Sequence, residues 1–361
     1  MSSSSATLEQ KLNYLLGSTH AYDDIPANGN GKKGKKQIVK SMVQHWAKLQ
    51  QDKVTVQVPG TWSGYHQRAK GGAQKEAYHE DAKKNLNPST FKFLPTDSVR
   101  HLEIVDQQGD IIAYCLRLPS HFTETLTASA QKLPSWKTTN HQRGTTANQH
   151  WTLWVPKGAT HPALSAQYRD ALPYSATWFN DNRALFIYLS KTVLRNLNPK
   201  MYAKFLDVRR YLPEDLQPLC EAWHGCAINR YQIKDGEPHI DSQDYKFGYN
   251  VVTGWGEFTT SKLLIWQLQL AIEIVPGDAV LFLGQNFTHN TVDIQGGERN
   301  IIDAFAHLKV MSWPTQRNVQ LTSAKGKEKM TDEMDVDYDP LQPDTSTSVE
   351  EEMADLQIMT D

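Results

Sequence analysis

The sequence predicts an α+β fold whose core is a jelly-roll arrangement of short strands, with supporting helices and extra strands ahead of it. Three observations carry this. From residue 227 onward the runs INRYQI, FGYNVV, KLLIWQ, AIEIV, DAVLFL, THNTVDI and RNIIDAFAH follow one another with brief turns. Evenly spaced short strands of this kind build a sandwich or barrel. Residues 184–197 and 201–211 have helical patterning and are separated by Asn198-Pro199. Hydrophobic residues make up 39% of the 361 and aromatic residues 10%, enough for a large core.

Taken in order, residues 8–16 suggest a short helix, and NGNGKKGKK (28–36) combines turn formers with a basic cluster and reads as a linker. Its KKGKK has an alternative reading as a nuclear-localisation or phosphate-contacting patch. IVKSMVQHWAKLQ (38–50) has apolar residues at helical spacing. AQKEAYHEDAKKN (73–85) is charged and helical in pattern. LEIVDQQGDIIAYCLRL (102–118) places two β-rich runs around Gln107-Gln108-Gly109, a hairpin signature. HWTLWVPKG (150–158) is a further strand. Pro276-Gly277, between AIEIV and DAVLFL, suits a type II turn.

The formal net charge of −2 is a cancellation. Residues 331–361 hold eleven acids and no Lys or Arg, whereas residues 1–330 hold 38 basic and 29 acidic residues, a charge of +9. Only +4 of this lies in 37–314, so the charge permits a polyanionic partner without demanding one. The organisation expected is a flexible segment with a basic linker (1–36), one domain (37–314, β-core about 227–310) and a disordered acidic tail (315–361) whose partner is unknown. No run of about 18 apolar residues exists, so no membrane-spanning helix is expected. The start lacks a secretory pattern, and three cysteines make no disulfide framework. A nuclear or cytoplasmic protein, not a secreted one, is expected.

His and Asp two apart on a strand point to one side, so His-x-Asp can supply two metal ligands from one strand end. The tripeptide occurs twice. His79-Glu80-Asp81 lies in the charged helical stretch and is read as surface. His239-Ile240-Asp241 lies between strand runs, with His289 48 residues beyond Asp241 and Arg299 ten beyond His289, both on strand runs. Two imidazoles and a carboxylate form the facial triad of non-haem Fe(II) sites. An arginine beside it suits a dicarboxylate through a bidentate, charge-assisted pair.

This ordered set resembles the 2-oxoglutarate/Fe(II) dioxygenase superfamily, whose fold is a double-stranded β-helix. The resemblance implies Fe(II) at His239, Asp241 and His289, and the far carboxylate of 2-oxoglutarate at Arg299, with no further catalytic residue beyond the metal ligands. Asn229-Arg230-Tyr231 is similar to the N-x-Y element of the AlkB branch, which implies that Asn229 and Tyr231 contact 2-oxoglutarate; the other reading is an ordinary strand. HIDSQDYKFGYNVVTGWGEFT and VPGDAVLFLGQNFTHNTVDIQGGERNIIDAFAH, within 227–307, resemble the TET/JBP branch. The departures are Thr260-Ser261, where that branch has two glycines, and Ile301, where it has a small hydroxyl residue.

The activity implied is oxidation, with molecular oxygen, of a methylated base in DNA (5-methylcytosine or N6-methyladenine) flipped out of the duplex. The alternatives are an AlkB-like nucleic-acid demethylase, a protein hydroxylase, or a non-catalytic β-barrel module that binds nucleic acid or protein. Tyr245, Phe247 and Tyr249 alternate, and as a strand they would put their rings on one face, as a base-stacking wall or as barrel packing. Cys220, His224 and Cys226 lack a fourth zinc ligand and read as buried structural residues. Arg68, Lys70, Lys75, Lys83 and Lys84, with Tyr65 and Tyr78, form either a phosphate-contacting patch or solvated loop charge.

Overall fold

Helix α1 (Gly31–Gln51) buries Met42, Val43 and Trp46, and the Trp46 ring lies 6.1 Å from that of His101 and 5.9 Å from that of Tyr114. Those two residues belong to strands β3 (His101–Val105) and β4 (Ile111–Arg117), which pair antiparallel as the expected hairpin. The computed structural model describes residues 31–69, 73–97, 100–141, 144–213, 216–218 and 220–314. The helix at 8–16, Lys70 and the acidic tail lie outside these. The linker reading of 31–36 is corrected, because α1 begins at Gly31. Lysine is a good helix former, and a glycine costs a helix only about 1 kcal/mol, so the amphipathic segment at 38–50 extends back through KKGKK.

The larger sheet has the order β1 (Val54–Gln57), β3, β4, β12 (Asp278–Phe282), β9 (Asn250–Gly256), β14 (Arg299–Phe305), β8 (Gly225–Gln232), β6 (Gly144–Trp154) and β5 (Thr139–His141), with β7 (Ala163–Leu164) beside β6. The smaller has the order β13 (His289–Gln295), β10 (Thr260–Ile265), β11 (Leu270–Ile274) and β2 (Lys92–Leu94). From β3 to β5 along that order every neighbouring pair is antiparallel, and so are β13, β10 and β11. One internal cavity is lined from both sheets, so the two face each other as the halves of a jelly roll. The seven strand runs read from the sequence are β8 to β14. Gly277 takes φ +89°, the left-handed value that the third residue of a type II turn requires.

Helices cover the sheets. Among them are α2 (Trp62–Arg68), α3 (Ala73–Asn85), α4 (Ser120–Ala130), α5 (Ala166–Asp181) and α6 (Arg183–Ile187). A π-helical stretch (Tyr188–Leu194) then leads to α7 (Arg195–Leu197) and α8 (Pro199–Arg209). Asn198 caps α8 by accepting a hydrogen bond from the Met201 amide, and Pro199 fits the first turn because that position has no helical N–H bond to lose. Trp151 of β6 meets Trp178 and Phe179 of α5 edge-on, each at 5.6 Å. Such pairs add about 0.5–1.5 kcal/mol to the burial itself. Ala82 of α3 joins Phe91, Leu264, Trp266 and Ala271 in a small cluster. Leu263 lines the cavity, so Leu264 points the other way and α3 lies on the outer face of the smaller sheet.

Three buried histidines and the half-buried His45 set an acid limit. Burial pushes His45, His101 and His307 down to about 4 and His224 to about 3, against 6.5 for a free imidazole. The unfolded chain therefore binds protons that the folded chain refuses between these values. Their contribution is fully present above about pH 6.5 and is lost as pH falls through 4, at up to about 1.4 kcal/mol per pH unit for each group. The melting temperature should fall steadily from pH 6.5 to 4; a flat profile would contradict neutral burial.

Candidate metal centre and cosubstrate cavity

His239, Asp241 and His289 each offer a ligand atom within 4.8 Å of the others, the one such cluster among the described residues. The backbone brings them together. His239 and His289 exchange N–H···O bonds of 3.1 and 2.9 Å, which pins the His-x-Asp segment to the start of β13. The Asp241 amide donates to the Gly284 carbonyl at 3.1 Å. His239 Nδ1 lies 2.8 Å from the Glu237 carbonyl and His289 Nδ1 2.9 Å from the Phe287 carbonyl. A carbonyl only accepts, so each Nδ1 carries the proton and each Nε2 keeps a lone pair for a metal. His289 Nε2 then faces Asp241 Oδ2 at 3.4 Å, two electron-rich atoms that a shared cation would hold together.

The cluster is shaped by a glycine. A Cβ on Gly284 would come 2.5 Å from Asp241 Oδ2 and 2.7 Å from Asn250 Nδ2, which itself donates to Asp241 and, at 2.6 Å, to Asp244. Gly284→Ala should displace this carboxylate and lower metal affinity at least tenfold while the protein still folds. Titration with Co(II) checks this, and an unchanged dissociation constant would refute it.

His239 and His289 line a cavity of about 60 Å³ together with Asn229, Gln232 and Arg299, walled by Val252, Leu263, Ile274, Val280 and Phe282. Arg299 is 3% exposed. Its Nη1 donates to Gln232 Oε1 at 2.8 Å, and its Nε has no hydrogen-bond partner. No carboxylate of a described residue lies within ion-pairing distance of it. Burial pushes the guanidinium down only to about 10, so it stays charged at neutral pH. Asn229, 1% exposed, accepts from Asn148 and leaves its Nδ2 without a partner. A buried cation and an orphaned amide donor on one cavity wall fit a bound carboxylate. The donor set therefore fits both Fe(II), through two imidazoles and a carboxylate, and a dicarboxylate.

Other site expectations land elsewhere. On a regular strand Tyr231 would share a face with Asn229. It takes φ +61°, and the β8–β14 register slips by one residue between Arg299 and Ile301. This bulge turns the Tyr231 ring onto the Arg230 guanidinium, 4.6 Å away, and puts Gln232 on the cavity wall instead. The wall of Tyr245, Phe247 and Tyr249 does not form, because β9 starts only at Asn250 and these residues lie on the irregular segment before it. Phe247 is buried and stacks on His66 at 4.2 Å, Tyr249 is buried, and Tyr245 packs on Phe205.

Tyr65 is buried against Phe287, so its ring does not accompany the lysines on a surface patch, and Tyr78 is half-buried with its hydroxyl enclosed. Glu80 pairs with Lys83 on α3. His79 is 5% exposed, which corrects its surface reading: it lies on the inner face of α3 and reaches Thr288. Cys220, His224 and Cys226 are buried, with free thiols.

On the other side of Asp241 lies an open groove of about 330 Å³, lined by His150, Trp154, Gln243, Phe305 and His307 among others. In the sequence His150 and Trp154 lie on the strand run HWTLWVPKG and Phe305 and His307 at the end of RNIIDAFAH, with nothing along the chain to join them. His307 Nδ1 accepts from the Lys309 amide at 3.2 Å, so in its neutral form Nε2 carries the proton.

No protein-family model matches the chain, and no curated protein matches it. Among solved structures it is similar to NgTET1 in complex with 5mC DNA, at 14% identity over 78% of this chain and 98% of that one, with a TM-score of 0.45. A 2OG-Fe(II) oxygenase family oxidoreductase from Burkholderia pseudomallei is 15% identical over 53% and 84%, with a TM-score of 0.33. The viral collagen prolyl hydroxylase of Paramecium bursaria Chlorella virus-1 is 12% identical over 54% and 94%, with a TM-score of 0.29. This chain's own strands and side chains describe a jelly roll that holds a His-x-Asp…His cluster and a buried, unpaired arginine on one cavity.

Proposed function

We propose that the protein is an Fe(II)- and 2-oxoglutarate-dependent dioxygenase that oxidises a methylated base in DNA, 5-methylcytosine or N6-methyladenine. The observation that carries the reading is the pairing, on one cavity, of two preset imidazoles with a buried guanidinium that has no carboxylate partner. His239 and His289 through Nε2, and Asp241 through its carboxylate, would hold the metal. Arg299 and the Asn229 amide would hold the cosubstrate's carboxylate. Iron and 2-oxoglutarate, with molecular oxygen, supply the oxidation of a C–H bond.

The chain's own part is placement. The aliphatic wall of Val252, Leu263, Ile274 and Val280 keeps water from the cosubstrate. The groove beside Asp241 supports a flat substrate, since Trp154, Phe305, His150 and His307 offer ring faces and edges. Burial holds His307 neutral, so its Nε2–H is a donor for a base edge rather than a second cation. A base must leave the duplex to enter such a groove. With DNA as substrate the corresponding compartment is the nucleus.

The test is incubation with methylated oligonucleotides, Fe(II) and 2-oxoglutarate, followed by mass spectrometry of the nucleosides. Oxidised methylcytosine or methyladenine with matching succinate is expected. Succinate formed without any base product, but with a hydroxylated peptide, would move the reading to a protein hydroxylase.

A further inference from the structure

The stretch AYHEDA carries a His-x-Asp that takes no part in the metal cluster, yet its histidine is at least as buried as His289. Helix α3 is strongly polar in sequence, and most of it faces solvent. Ala82, three residues beyond His79 and so on the same face, seats the helix on Trp266 and Phe91 of the smaller sheet's outer side. That seat aims His79 at the residue before the distal ligand.

The contacts form a closed network. Thr288 donates its amide hydrogen to Gln267 Oε1 at 2.8 Å, and its carbonyl accepts from the Trp266 amide at 2.9 Å. Gln267 Nε2 donates to Thr288 Oγ1 at 2.9 Å and lies 3.2 Å from His79 Nδ1. Thr288 Oγ1 lies 2.8 Å from His79 Nδ1. With Gln267 as donor, the Thr288 hydroxyl hydrogen points to His79 Nδ1, which accepts. The His79 proton is then on Nε2, a buried position with no partner. Burial, with Lys75 and His289 nearby, pushes this imidazole down to about 4, in keeping with a neutral ring.

Thr288 stands between the two groups that set the distal ligand: the Phe287 carbonyl, which fixes the His289 tautomer, and His289 itself. We propose that His79 is a positioning residue for the metal centre, holding Thr288 so that the Phe287 carbonyl and the His289 ring keep the register that aims Nε2 at the metal. The role rests on the metal-site reading above. It also accounts for an orphaned N–H, a cost of about 1–3 kcal/mol that a leucine would avoid.

Three variants and Co(II) test this, read by the metal's visible absorption and by melting of the metal-free protein. His79→Leu should melt no lower than the wild type, yet bind Co(II) tenfold to a hundredfold more weakly, the range for losing an outer partner of a ligand. His79→Gln, which keeps an acceptor for the Thr288 hydroxyl, should recover most of the affinity. Wild-type binding that His239→Ala abolishes establishes the centre independently. If His79→Leu then binds as the wild type does, the positioning role alone is overturned. A parallel loss of melting temperature that His79→Gln fails to restore would also overturn it, leaving a packing role. A wild type that binds no Co(II) overturns both this role and the metal-site reading.

Discussion

Asp241→Ala should lower succinate release and base oxidation by more than about a hundredfold. Loss of a partner one shell out typically costs ten- to a hundredfold, and a direct ligand should cost more. Asp241 is also the cluster's only anion. Without it, two neutral imidazoles remain to compensate a divalent cation. The variant should still fold, because the Asp241 amide keeps its bond to the Gly284 carbonyl and the exchange between His239 and His289 is untouched. Turnover within tenfold of the wild type, at unchanged melting temperature, would sink the assignment. His289→Ala should behave alike in turnover.

Arg299→Met should move two quantities in a combination that few variants give. The apparent KM for 2-oxoglutarate should rise about tenfold to a hundredfold, since a hydrogen bond to a charged group contributes about 1.5–3 kcal/mol and each 1.4 kcal/mol is tenfold. The ligand-free protein should meanwhile melt a few degrees higher, because methionine replaces a cation buried among Phe258 and aliphatic side chains without a carboxylate partner. The lost bond to Gln232 offsets part of this gain. An arginine kept for structure would give the reverse, a lower melting temperature at unchanged KM, and that result would remove Arg299 from the cosubstrate site. Added 2-oxoglutarate should raise the wild-type melting temperature more than the variant's.

What was legible in the sequence was whatever depends on neighbours along the chain. The seven runs after residue 227 alternate or are flanked by turn residues, and they fold as β8 to β14. His239, Asp241, His289 and Arg299 were found by order and by strand context. What escaped depends on partners far away. The resemblance to the N-x-Y element put Tyr231 on the cosubstrate beside Asn229, and one slipped residue against β14 turns it away, which no local pattern announces. Tyr245 to Tyr249 alternate as a strand would, but the chain there turns, with the Gly248 amide donating to the Tyr245 carbonyl, and Gly248 marks a close approach to Phe205. His79 reads as surface because its own helix is charged, and only the sheet beneath explains its burial. The π-helical stretch likewise has no signature in YLSKTVL; the packing of Tyr188, Val193 and Leu194 decides it.

The paired backbone bonds between His239 and His289 have a thermodynamic consequence for loading. A metal shared by these residues is a cross-link that closes a loop of about fifty residues, and an open loop of that length carries a closure entropy growing with the logarithm of its size. Here the closure is already made by the backbone before any metal arrives. The free energy of coordination is then available as affinity rather than spent on gathering the chain, and the loaded and empty forms should share one backbone.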